Sequence, residues 1–102
     1  PWGFECFAGM AMAHVAAGRY EDAVDWAKRL RRRKPDFPLT YLILAGSYVW
    51  LERIDEARSA LEEALRLNPG YSLSGIRVAL AGASVDFRER TIDALRKAGM
   101  PE

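Results

Sequence analysis

The chain has 102 residues, of which half are hydrophobic and 28% are charged, and its formal net charge at pH 7 is +1. This length fits one domain, and the composition is that of a folded globular protein rather than a disordered one. The near balance of charge argues against a partner attracted by net charge, such as nucleic acid or an anionic membrane. The single cysteine excludes an internal disulfide and a zinc site built from several cysteines.

Two helices are predicted in the first third of the chain. Small and apolar residues run from Phe4 to Ala17 and end at Gly18, which adopts a left-handed turn easily. The next helix ends before Pro35, because proline cannot continue a helix. Its apolar positions follow the spacing of a single helical stripe: Tyr20, Ala23, Val24, Ala27 and Leu30.

Further helices are predicted over residues 39–51, 54–67, 73–81 and 87–98. The longest uncharged run, residues 37–51, is shorter than the roughly 20 apolar residues of a membrane span, so we expect a buried helix and no membrane contact. Asp86 with Glu89 predicts a capping box at the start of the last helix. Gly99 and then Pro101 predict its end.

A period of 34 residues relates the first two helix pairs. The aligned pairs are Phe7 with Tyr41, Ala11 with Ala45, Tyr20 with Ile54, Ala23 with Ala57, and Pro35 with Pro69. The alanines allow helix backbones to approach closely, because a larger side chain would hold them apart. A repeat of this length is typical of stacked helical hairpins, and it weakens in the third unit after Gly82.

These features resemble the tetratricopeptide repeat family over residues 4–98. The resemblance implies an all-α fold, a right-handed superhelix of three helix-turn-helix hairpins in one domain. The repeats would span about residues 4–37, 38–71 and 72–98, with the third degenerate and acting as a cap. In this family the first helix of each pair lines a concave groove.

The predicted groove is mostly apolar, so we expect it to accept an apolar helix of a protein or peptide, or a second copy of the chain. Alternatively, a neighbouring segment of a longer protein covers it. Trp50, Leu42 and Val49 are expected as central contacts, and Val49→Asp is expected to leave the helices intact. The groove positions carried over are Met12, Val15, Leu39, Leu42, Ile43, Val49, Trp50, Leu73, Ile76, Arg77 and Leu80.

Aromatic residues at the amino-terminal edge predict a second contact surface. Trp2, Phe4 and Phe7 would meet a preceding repeat, and none is present in the sequence. We therefore expect self-association through this edge. Because the sequence starts at Pro1 rather than Met, we also expect it to be part of a longer protein.

The basic run Lys28–Lys34 has two interpretations: a phosphate or nucleic-acid patch, or the solvated last turns of a helix. We favour the second, because the whole chain is nearly neutral and no aromatic residues suited to stacking alternate with the basic ones. No nucleophile, acid–base pair or metal-ligand spacing is recognisable. We therefore expect a chain without catalytic activity, cofactor or metal, and nucleic acid is not an expected partner.

A narrower resemblance concerns residues 18–73 and the ending at 92–102. Both are similar to the C-terminal repeat region of bacterial class III adenylate/guanylate cyclases. That resemblance implies a cytoplasmic signalling protein with a cyclase domain upstream and this region as its regulatory or interaction part. The alternatives are a homo-oligomerisation module and the repeat region of a transcriptional regulator.

Overall fold

In the computed structural model, the backbone is described for residues 4–102 and the side chains for residues 9–102. The predicted edge of Trp2, Phe4 and Phe7 lies outside the described side chains. Within residues 4–102 every regular element is a helix. The helices are α1 (Phe4–Ala16), α2 (Tyr20–Arg33), α3 (Pro38–Trp50), α4 (Ile54–Leu67), α5 (Leu73–Ala79) and α6 (Val85–Ala98). In this part of the chain, no helix is long and apolar enough to cross a membrane.

The first two hairpins stack as the 34-residue period predicts. Helix α1 packs on α2, α3 packs on α4, and α2 joins the hairpins by packing on α3. The alanines at the repeated positions, Ala11, Ala23, Ala45 and Ala57, are fully buried, as close packing of the helices requires. The predicted all-α helical repeat is therefore confirmed.

Local sequence signals set the boundaries of these hairpins. The left-handed turns fall at Gly18, with a φ of +79°, and at Glu52, with a φ of +61°. Helix α3 begins with Pro38, a residue whose fixed φ suits the first helical position. The Tyr41 hydroxyl donates a hydrogen bond of 2.7 Å to the Pro35 carbonyl, which ties α3 to the turn before it.

The third hairpin does not repeat this stacking. Helix α5 has only seven residues, so it ends before the predicted residue 81, and it makes little contact with α4. Helix α6 instead packs on α3 and α4. It buries a stripe formed by Ile92, Leu95 and Ala98, and a helix as short as α5 offers too little apolar surface to cover it.

The start of α6 corrects the predicted capping box. The N-cap is Ser84, whose hydroxyl accepts a 3.2 Å hydrogen bond from the Phe87 backbone amide. Asp86 lies inside the helix and forms an ion pair of 3.0 Å with Arg90. Glu89 accepts a hydrogen bond from Arg77 of α5. The helix therefore starts two residues earlier than predicted.

The end of the chain closes the third hairpin. The carbonyls of Pro101 and Glu102 accept hydrogen bonds of 2.8 and 3.0 Å from the backbone amides of Leu73 and Ser74. The Ser72 hydroxyl accepts from the amide of Gly75. The first amides of α5, which have no partner within the helix, are thus satisfied by the tail and the cap.

We predict that Ser84→Ala lowers the free energy of unfolding by about 1 kcal/mol, because the cap of α6 is lost. The matched variant Asp86→Ala removes only an exposed ion pair and should cost about 0.5 kcal/mol or less. Urea denaturation of both variants measures the difference. A larger loss of unfolding free energy in Asp86→Ala than in Ser84→Ala would contradict this and support Asp86 as the N-cap, as the sequence suggested.

Candidate functional site

Helix α6 lies over the face of α3 that the sequence predicts to line the concave groove. Gly46 of α3 faces Ala94 of α6: a methyl group placed on Gly46 would lie 4.0 Å from the Ala94 Cβ. Further along, the Lys97 ammonium lies 5.5 Å from the centre of a Trp50 ring. Part of the groove is therefore filled by the chain itself.

Beside α6 the groove remains open as a cavity of about 140 Å³, which we call the groove cavity. Its walls come from α1, α3, α5 and α6, with Tyr20 from the start of α2, and they are almost entirely apolar. The structure brings eight of the predicted groove residues together around it: Met12, Val15, Leu39, Leu42, Ile43, Trp50, Ile76 and Leu80.

Three of the predicted groove residues lie elsewhere. Val49 and Leu73 are buried in the core, with 6% and 2% of their surface exposed. Arg77 points to the surface and binds Glu89 at 2.8 Å. Because Val49 is buried, we expect Val49→Asp to destabilise the fold rather than leave the helices intact, since it would bury an unpaired carboxylate.

The cavity also contains residues that the sequence did not single out. Most belong to α6, which the repeat pattern placed in a stacked hairpin rather than across the groove. The sequence contained one signal for this packing: Gly46 on α3 and Ala94 on α6 are small enough to allow the two helices to come into close contact. The additional lining residues that matter most are Tyr20, Phe87, Arg90, Thr91, Ala94 and Leu95.

An aromatic pair and two cations border the cavity. Tyr20 and Trp50 stack with ring centroids 6.0 Å apart and planes inclined by 16°. The Arg90 guanidinium donates 2.8 Å to the Tyr20 hydroxyl and 3.3 Å to the Ala16 carbonyl. At the other end of the pair, Lys97 lies over Trp50. Each cation thus contacts one of the two aromatic side chains.

The lining of the groove cavity combines a large apolar surface with a few polar groups. These are the Arg90 guanidinium and the hydroxyls of Tyr20, Ser47 and Thr91. His14 lies at the α1–α2 turn, where its Nδ1 accepts a 2.9 Å hydrogen bond from Arg19. Among the described residues, no three His, Cys, Asp or Glu side chains gather as a metal site.

A shallower cleft of about 410 Å³ lies on the opposite side of α3, with walls from α2 and α4. Its carboxylates already have partners. Glu56 accepts hydrogen bonds from Arg53, and Glu63 accepts from Arg66, which lowers the pKa of Glu63. The cleft therefore presents paired charge, and the groove cavity is the better candidate site.

The basic run Lys28–Lys34 forms the last turns of α2 and its C-cap. Arg29 lies over Trp26, 4.8 Å from a ring centre, and Lys34 forms an ion pair of 3.3 Å with Asp36. Positive charge at this end of a helix is favoured by the helix dipole. The position of the run fits the solvated helix end favoured from the sequence.

Comparison with known proteins gives one match. A family model described as tetratricopeptide repeat matches residues 14–74, more than half of the chain. No curated protein and no solved structure matches the chain significantly. The matched segment begins in the last turn of α1, covers α2, α3 and α4, and ends at the start of α5, so the helix that lies over the groove is outside it.

We predict that Gly46→Ala is neutral or stabilising by up to about 1 kcal/mol, because alanine favours the helix and its methyl group makes an ordinary contact with Ala94. Gly46→Leu should instead push α6 away from α3 and lower stability by about 1–3 kcal/mol. Thermal denaturation of the two variants tests the contact. Equal stability of Gly46→Leu and Gly46→Ala would show that α6 does not pack here.

Proposed function

Because the chain belongs to the tetratricopeptide repeat family, we propose that it is a non-catalytic protein-interaction domain that binds its partner at the groove cavity. Members of this family serve as protein-interaction scaffolds. The observation that supports the site is the cavity itself: an open, almost wholly apolar recess on the concave face. A recess of this kind is a common anchor point for a protein partner.

The size of the cavity suits one bulky apolar side chain. An engineered protein cavity of about 150 Å³ holds a benzene ring, so about 140 Å³ accommodates a leucine or phenylalanine side chain. Trp50 borders the cavity, and although it stacks on Tyr20, 38% of its surface remains exposed and available to a partner. Tryptophan at such a position often contributes strongly to binding.

An amphipathic helix is the occupant that fits best. Helix α6 already packs against the same face of α3 through an apolar stripe, with Ala94 opposite Gly46. A second helix lying beside α6 would extend this packing and insert one apolar side chain into the cavity. Recognition of this kind uses apolar anchors at successive helical turns of the bound segment.

We further propose that the domain is the C-terminal region of a bacterial adenylate/guanylate cyclase-like signalling protein in the cytoplasm. The support is the resemblance of residues 18–73 and 92–102 to that region of such cyclases. The sequence of the gene upstream of Pro1 tests this context. A cyclase domain there would support it, whereas a winged-helix domain would favour a transcriptional regulator and contradict it.

A blocked cavity provides the direct test of the site. The probe is a fluorescein-labelled 16-residue helical peptide with a leucine stripe, and fluorescence anisotropy measures its affinity for the full chain. Ala79 is exposed and lines the cavity, so Ala79→Phe should place a ring at its mouth and weaken binding at least about tenfold.

The neighbouring residue provides the matched control. Val78 is 77% exposed and does not line the cavity, so Val78→Phe adds the same ring outside the site. Binding of the peptide should change less than about twofold in this variant. Equal affinities for the Ala79→Phe and Val78→Phe proteins would contradict the assignment of the cavity as the binding site.

A further inference from the structure

We infer that the partner helix of the groove cavity is acidic: its apolar side chain enters the cavity while two of its carboxylates bind Arg90 and Lys97. This inference rests on the proposed function above and names the chemistry of the partner. It follows from the charges at the edge of the cavity rather than from the overall charge of the chain.

One cation of α6 lines the cavity and a second lies over a residue of its wall, whereas no carboxylate of α6 lines the cavity. Arg90 is part of the cavity wall, and Lys97 contacts Trp50, which is also part of the wall. Asp86 and Asp93, which pair with these cations, do not line the cavity. A helix placed in the open part of the groove would therefore meet positive charge first.

Arg90 is already held in a fixed position. Its guanidinium donates hydrogen bonds to the Tyr20 hydroxyl and the Ala16 carbonyl, and it forms an ion pair with Asp86. A cation oriented before binding loses less conformational freedom when a carboxylate arrives.

The existing ion pairs can be exchanged at little cost. Asp86 is 79% exposed and its partner Arg90 is 29% exposed, while Lys97 and Asp93 are 55% and 45% exposed. Ion pairs this exposed contribute little to stability. A partner carboxylate can therefore replace either aspartate, and a cationic partner would meet like charges at both positions.

The spacing of the two cations defines the partner further. Arg90 and Lys97 are separated by seven residues, which corresponds to two helical turns and about 10.5 Å along α6. A helix lying beside α6 would match them with two acidic residues that are also seven positions apart. An apolar side chain between those two positions would enter the cavity.

Two synthetic helical peptides test the charge preference. Both are 16 residues long with the same leucine stripe. One has glutamates at two positions seven apart, and the other has lysines there. At low salt the glutamate peptide should bind the full chain at least about tenfold more tightly, measured by fluorescence anisotropy. Raising the ionic strength should shrink this difference.

Charge reversal on the protein locates the effect. Lys97→Glu should weaken binding of the glutamate peptide at least about fivefold, because it replaces attraction with repulsion. Lys97→Gln should weaken binding less, because it only removes the attraction. Arg58→Glu is the control, since it changes the net charge equally at an exposed α4 position outside the cavity. Circular dichroism verifies that each variant is folded.

The outcomes separate the two proposals. Equal binding of both peptides, abolished by Ala79→Phe, would overturn the acidic preference and leave the cavity as the binding site. Tighter binding of the lysine peptide would overturn the preference as well. Binding of neither peptide to the unmodified chain at millimolar concentration would overturn the proposed function and this inference together.

Discussion

The contact between α3 and α6 at Gly46 and Ala94 determines the shape of the concave face. The small residue at Gly46 lets α6 lie on the groove face of α3: a methyl group there would make an ordinary contact with Ala94, whereas a side chain as large as leucine would hold α6 away. The apolar stripe of α6 is buried there, and the aromatic pair Tyr20–Trp50 lies at the edge of the contact. The groove cavity is the space that this packing leaves open.

The same contact explains why the third hairpin departs from the other two. In the first two hairpins, long helices with alanines at the crossings cover each other's apolar faces. Helix α5 is too short to cover α4 in this way, so α6 packs on α3 and α4. The tail then returns to the start of α5 and satisfies its first amides.

The first two hairpins could be predicted from sequence because their signals are local and repeated. The buried alanines, the turn at Gly18 and the stops at Pro35 and Pro69 each act within a few residues. The position of α6 could not be predicted in this way. It depends on a contact between residues 48 positions apart, Gly46 and Ala94, that no periodic pattern encodes. The groove positions on α1 and α3 could be proposed from sequence, since these helices belong to the repeating part, whereas the cavity walls from α6 could not.

The most direct test of this account is an NMR measurement of the nuclear Overhauser effect between the Ala94 methyl group and the α-protons of Gly46 in the full chain. The account predicts a clear cross-peak, because the two helices are in contact at these residues. No cross-peak here, together with cross-peaks that place α5 between α4 and α6, would show a regularly stacked third hairpin. That result would contradict the arrangement from which the groove cavity arises.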